Sequence, residues 1–340
     1  MKHTAAKAVL STLLTLSLAA CGSSAAAPAA EQPAGGEEQT VYKVAIVKQL
    51  DHASLDEIAN AIAAELDALA EKNGVVIEYG DIYSGQNDQT TLQQIGSQAI
   101  ADNVDVIIPI ATLAAQTMTA AAGDTKTPVV YAAISDPEAA ELTGIDYVTG
   151  TSDALNTKVI MDMILTQNPD TQTVGLLYSK SEANSAKPIA EAKAYLDEKG
   201  ITYVEATGNT NDEVLQAVSS LIGQGVDAIF TPTDNVVMAA ELSFAPDLAE
   251  KGIPHYAGAD SFVRNGAYAT CGVNYTDLGT KTADYAFEVM VNGGKGSLDD
   301  YYLMDGGIVT VNTETAEALG LDYSVFKQFG ELNEVITTED

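Results

Sequence analysis

The 340-residue sequence contains no tryptophan, two cysteines, one arginine and three histidines. Each shortage closes off a class of function. Cys21 and Cys271 are the only thiols, so no disulfide framework can hold a mature fold that begins after Cys21. Cys271 is expected as a small buried side chain. His3, His52 and His255 are too few and too scattered for a zinc helix, and Gly-x-Ser-x-Gly and Gly-x-x-x-x-Gly-Lys motifs are missing too. A Ser-His-Asp site could be assembled from His52 and Asp136, but no spacing favours it. The sequence therefore reads as a non-enzyme with no metal and no cofactor. Against 16 Lys and Arg stand 48 Asp and Glu, a formal net charge of −32 that repels nucleic acid and anionic lipid.

Long apolar runs are scarce as well. Val9–Ala20 is too short to span a bilayer comfortably, and it follows Lys2 and Lys7, so residues 1–20 read as an export signal. Leu18-Ala19-Ala20-Cys21-Gly22 resembles the bacterial lipoprotein box, in which the cysteine becomes the acylated N-terminus. That resemblance implies lipidation of Cys21 and an extracytoplasmic, membrane-anchored protein. Residues 21–40 are small, acidic and proline-rich, a composition that cannot bury a core and serves as a tether.

From Val41 onward, strand and helix signals alternate. YKVAIV precedes Leu55, Ile58, Ile62, Leu66 and Leu69 at helical spacing, with Ser54 and Glu57 at capping-box distance. VDVIIPI, PVVYAA, VGLLY, VDAIF and HYAGA follow, each before a helix-like pattern. This is the signature of parallel sheets covered by helices on both faces. Two blocks repeat: VDVIIPIATLAAQTM aligns with VDAIFTPTDNVVM, and TPVVYAAISD with IPHYAGADSF. The expectation is an α/β protein of two similar doubly wound lobes with a ligand cleft between them.

In open parallel sheets, ligands bind outside the carboxyl ends of the strands. Those ends carry Gln49, Asp51, His52 and Ser54; Thr112 and Gln116; and Ser135 and Asp136 in the first lobe. The second lobe supplies Ser179, Ser181, Glu182, Asn184 and Ser185; Thr231, Thr233, Asp234 and Asn235; and Asp260 and Ser261. Helix N-termini and hydroxyls suit a carboxylate, and Asp234 and Asp260 suit an ammonium, so a zwitterion fits. Helix capping explains many of the same residues. His52 reads as a hinge or rim residue, and Arg264 as a lobe-to-lobe or surface ion pair.

KQLDHASLDEI, GQNDQTTLQQI, IATLAAQTM, AISDPEAAEL, TGTSD, YSKSEANS, TPTDNVVM and GADSFVRNGAYATCGVNYTDLG together resemble the tryptophan/tyrosine-type substrate-binding proteins of ABC importers. The resemblance implies the type I periplasmic-binding fold and a monomeric receptor. It also implies closure on an amino acid, aromatic in members of this kind, and delivery to a permease with its ATPase. Carried over by motif, the ligand's backbone would meet Thr112, Ser135, Asp136, Ser181, Asn184, Ser185, Asp234 and Asp260, with Leu50, Tyr178 and Tyr256 near its side chain. Three crossings are expected near Gly150-Thr151, Asn274-Tyr275 and Asp305-Gly306. They give lobe 1 as 41–150 plus 275–305, and lobe 2 as 151–274 plus 306–335. A sugar, nucleoside or branched amino acid in the same cleft, or an adhesin or sensor role, are the alternatives.

Overall fold

A computed structural model describes residues 39–338. The signal segment, Cys21 and the tether up to residue 38 lie outside the described residues. From β1 (Val41–Lys48) the chain passes to α1 (Ala53–Asn73), β2 (Val76–Glu78), the short β3 (Tyr83–Ser84), α2 (Gln89–Ala101), β4 (Val106–Ile110), α3 (Thr112–Ala121), β5 (Val129–Tyr131) and β6 (Val148–Ser152). It then enters α4 (Thr157–Gln167), β7 (Thr173–Tyr178), α5 (Ala186–Lys199), β8 (Thr202–Thr207), α6 (Asn211–Gln224), β9 (Ala228–Thr231), α7 (Asn235–Glu250), β10 (His255–Ala257), α8 (Asp260–Arg264) and β11 (Ala269–Gly272). The last stretch holds α9 (Tyr275–Asn292), β12 (Tyr302–Leu303), β13 (Ile308–Asn312), α10 (Thr313–Leu319) and β14 (Leu332–Val335).

The strands form two sheets. The first has the order β12-β6-β5-β4-β1-β2, with β3 also beside β1, and every pairing in it is parallel. The second runs β14-β13-β11-β10-β9-β7-β8, parallel except where β11 meets β13. The run β6-β5-β4-β1-β2 matches β11-β10-β9-β7-β8 strand for strand, so the repeated sequence blocks occupy equivalent places in two like lobes. β1 shows why both faces need helices. Val44 and Ile46 enter one buried cluster with α1 and α9, while Ala45 and Val47 enter another with α2 and α3. Side chains that alternate faces along an all-apolar strand leave no side for water.

The chain leaves the first sheet after Ser152, returns between Gly272 and Tyr275, and crosses again between Leu303 and Ile308. Gly150 and Thr151, read from the sequence as a crossing, are interior positions of β6. Gly150 pairs with Tyr131, and a Cβ there would sit 2.2 Å from the Tyr131 carbonyl oxygen. Glycine serves strand packing there, and the crossing begins a few residues later.

Helix α9 belongs to the first lobe although its sequence follows the second. It packs along α1, and Gly279 makes the approach possible: a Cβ there would lie 2.7 Å from both Ala61 Cβ and the Ile58 carbonyl. Gly279→Leu should therefore force the two helices apart and cost about 1–3 kcal/mol or more. Gly223→Ala on α6, with nothing within 4 Å of the new Cβ, should gain up to about 1 kcal/mol. Urea unfolding of both variants tests the pair, and equal midpoints would refute the packing argument.

Candidate functional site

The carboxyl ends of β1, β4, β5 and β6 face those of β7, β9, β10 and β11 across a narrow cavity between the lobes. Its lining divides by chemistry. Thr112, Ser135, Asp153, Asn184, Thr233 and Asp234 supply polar groups, whereas Leu55, Ile58, Met238, Phe262 and Tyr275 form an apolar wall. No Lys or Arg is among the lining residues. Two alanines at these corners, Ala111 and Ala133, have φ of 74° and 58° and also line the cavity. Non-glycine residues held in that region mark strain concentrated at a site.

Hydrogen bonds tie the lobes together around this cavity. Leu113 N–H at the start of α3 donates to Gln49 Oε1 (3.0 Å), and Gln49 Nε2 donates to Glu182 Oε1 (2.8 Å) in the other lobe. Asn235 Nδ2 donates to Glu182 Oε2 (2.6 Å), and Asn235 Oδ1 is 3.0 Å from His52 Nε2, back in the first lobe. Nearer the crossings, Ser135 Oγ donates to Asp153 (2.9 Å) and lies 3.0 Å from Thr233 Oγ1. Tyr275 O–H donates to the other Asp153 oxygen (3.1 Å). Ser54 Oγ meets Ser261 Oγ across the cleft, and Arg264 joins Glu57 of α1 to Asp260 of its own helix. Arg264 thus makes a lobe-to-lobe ion pair.

Three acids here are withdrawn from water. Asp234 accepts from Ser179 N–H and Ser185 O–H at 2.7 and 2.6 Å, and from Val236 and Val237 N–H at 3.1 and 3.0 Å. Burial pushes its carboxyl upward and these four donors oppose the shift. Burial first, and the charge of Asp234 second, push Glu182 up to about 7. Asp153 is raised by burial, with Ser135 and Tyr275 acting the other way. Burial lowers His52, so its imidazole is neutral.

Of the residues expected from sequence, Ser54, Thr112, Ser135, Asn184, Asp234 and Asn235 line the cavity. Gln49, Glu182, Ser185 and Ser261 stand behind them in the bonds just described. Others turn away. Gln116, one turn into α3, donates to the Ala140 carbonyl and sits in the groove between α2 and α3. Asp136 caps Ala139 N–H and pairs with Lys187 at 3.1 Å. Ser181 bonds Ser179 in its own loop and Asn209 in the loop after β8. Asp260 is held by Arg264, and half-buried Leu50 packs on the core.

The two tyrosines expected beside the ligand's side chain are placed by strand parity. Tyr256 is buried against Tyr268 and Phe326, and Tyr178 packs on that same outer cluster with its hydroxyl on Glu205. Ser54 is not the cap of α1. The helix begins at Ala53 after an extended His52, and no side chain caps it. His255 is fixed in the core between Glu241 and Thr231, at 2.8 Å on each side. Cys271 is a free buried thiol.

Asp153, Tyr275 and the apolar wall were not anticipated. Asp153 does end a strand as the other corner residues do, but VTGTS is too rich in Thr and Gly to read as one. Leu55, Ile58 and Met238 look like ordinary core positions of amphipathic helices.

The sequence model of the ABC transporter substrate binding protein family matches residues 43–325. The chain belongs to that family. Such receptors work outside the cytoplasm and hand a small molecule to a permease driven by an ATPase. Among the described residues, no helix is long and apolar enough to cross a membrane. The receptor is 31% identical over 283 residues, 82% of this chain and 81% of the other, to the tyrosine-binding protein of Clostridioides difficile (strain R20291). An ABC domain from Streptococcus pneumonia in complex with L-Trp is 28% identical, covering 86% of this chain and all of that one, with a TM-score of 0.77. A ligand-free, open substrate-binding protein with adhesive properties from Clostridium difficile is 29% identical over 87% of this chain and all of that one, with a TM-score of 0.63. At similar identity and coverage, the receptor superposes better on the tryptophan complex than on the ligand-free, open protein. The bonds spanning its cleft agree with a closed state.

Burial and the charge of Asp234 hold the carboxyl of Glu182 at about 7 in this closed form, against 4.5 for an ordinary glutamate, so opening that returns it to water releases a proton near neutral pH. Acid should therefore favour the ligand-free closed form, and that preference should fade as pH rises through about 7. Small-angle scattering of ligand-free protein should show expansion over this window. Glu182→Gln should remain compact throughout, and a pH-independent radius in the unaltered protein would contradict the assignment.

Proposed function

We propose that this receptor captures an aromatic amino acid by lobe closure and delivers it to its permease. The observation that carries the reading is the division of one cavity between polar groups and an apolar wall. The N-terminus of α3 at Thr112 offers N–H groups and a partial positive charge to the ligand's carboxylate. Asp153 and Asn184 Oδ1 accept from its ammonium. Leu55, Ile58, Met238, Phe262 and Tyr275 enclose its side chain. Ser135, bonded to both lobes, sits where closure and ligand contact coincide. Sugar is disfavoured because a wall of this kind leaves ring hydroxyls without partners. The relatives described above, one named for tyrosine and one bound to tryptophan, support the aromatic class.

The receptor is anchored through lipid on Cys21, with residues 22–40 as tether, and acts as a monomer. The lobes are 41–150 plus 275–305 and 151–274 plus 306–335, moved a few residues by the strand boundaries, and the three crossings form the hinge.

Thermal unfolding of purified protein, refolded to strip carried-over ligand, tests the reading against Trp, Tyr, Phe, Leu, ribose and adenosine. A ligand at 100 times its Kd stabilises by about 2.7 kcal/mol, a shift of several degrees in a protein of this size. Aromatic amino acids should give it and ribose should not. A shift with sugar or nucleoside alone would overturn the ligand class.

A further inference from the structure

Two polar atoms of the cavity lining are buried and lack a partner: His52 Nδ1 in the first lobe and Asn184 Oδ1 in the second. Such atoms are costly to bury unless something fills the role. The hydrogen-bond network fixes what each can accept or give. Leu113 N–H can only donate, so Gln49 faces it with its oxygen and turns its NH₂ to Glu182. Ionised Glu182 accepts on both oxygens, which makes Asn235 the second donor and leaves Asn235 Oδ1 toward His52. His52 Nε2 must then carry the hydrogen, and Nδ1 of the neutral ring is a bare acceptor. Asn184 Nδ2 donates to the Thr233 carbonyl (2.6 Å), so its free oxygen is an acceptor as well.

The two acceptors have different surroundings. Asn184 lies beside Thr233 and Asp234, among the acids that hold an ammonium. His52 immediately precedes α1, whose Leu55 and Ile58 belong to the apolar wall. Its partner Asn235 precedes Met238 of the same wall by one turn. A neutral imidazole is a poorer partner for an ammonium than Asp153. It is well placed for a neutral donor at the end of an aromatic side chain.

We propose that His52 is a specificity-determining residue, whose Nδ1 accepts a hydrogen bond from a donor carried on the ligand's aromatic ring, the phenolic O–H of tyrosine or the indole N–H of tryptophan. The proposal rests on the aromatic amino acid reading above. It makes the receptor discriminate against phenylalanine, because a buried acceptor facing a bare ring edge stays unpaired.

The test is calorimetric titration at about pH 8, above the value near 7 for Glu182, where that carboxyl is ionised. The ligands are L-tyrosine, L-tryptophan, L-phenylalanine, O-methyl-L-tyrosine and 1-methyl-L-tryptophan. The donor-bearing ligand of the preferred pair should bind about tenfold or more tighter than phenylalanine and than its own methylated form. His52→Leu, which also removes the bond to Asn235 across the cleft, should bring those ratios close to one. The methylated ligands probe the unaltered protein, so a poorly folded variant does not remove the test. Equal binding of phenylalanine and the donor-bearing ligands would overturn this inference and leave the aromatic reading standing. A His52→Leu variant that weakens all ligands alike would also overturn it, by assigning His52 to the common backbone. Failure of all five to bind would overturn both.

Discussion

The closed form depends on keeping acids away from water without leaving them unpaired. Glu182 and Asp234 sit in the second lobe at the cleft, and each is buried. Asp234 is satisfied within its own lobe by two N-terminal amides of α7 and by the loop after β7, so it shapes that corner whether the cleft is open or shut. Glu182 is different. One of its two donors is Gln49 of the first lobe, and Gln49 is itself oriented by the N-terminus of α3. A buried acid with half its hydrogen bonds supplied across a gap makes closure cooperative, because separating the lobes exposes the acid and strands the amide together.

The proposed ligand site has no cation among its lining residues. A carboxylate ligand in a closed, acidic cavity would be repelled unless something positive faced it. On the proposed reading the N-terminus of α3 at Thr112 supplies it, through the positive end of the helix dipole. Arg264, the one arginine, is held instead at the rim between Glu57 and Asp260. It steadies the two lobes relative to each other and does not reach the lining.

The apolar wall completes the site because it joins the two lobes. Leu55 and Ile58 from α1 and Met238 and Phe262 from α7 and α8 share one continuous buried cluster with the cores beneath them. On the proposed reading, an aromatic side chain entering there would extend that cluster and remove apolar surface from water on both sides of the cleft, the differential affinity that shifts an open-to-closed equilibrium. Selectivity then falls to the few polar atoms at the ends of the wall.

The sequence by itself determined the alternation of strands and helices, the duplication, and the rule that function gathers at strand ends. Ser54, Thr112, Ser135, Asn184, Asp234 and Asn235 were legible because apolar runs locate strands, and the residues after each run must then lie at one edge of a sheet. It did not determine which way a side chain turns one residue or one helical turn further on. Tyr256 went to the outer core by strand parity, and Gln116 rotated away along α3. Asp153 was hidden in a strand with few apolar residues, and the wall of Leu55, Ile58 and Met238 was indistinguishable from core. These are matters of which surfaces oppose each other once two lobes close, and contacts between residues as distant as Gln49 and Glu182 exist only when the tertiary structure brings them together.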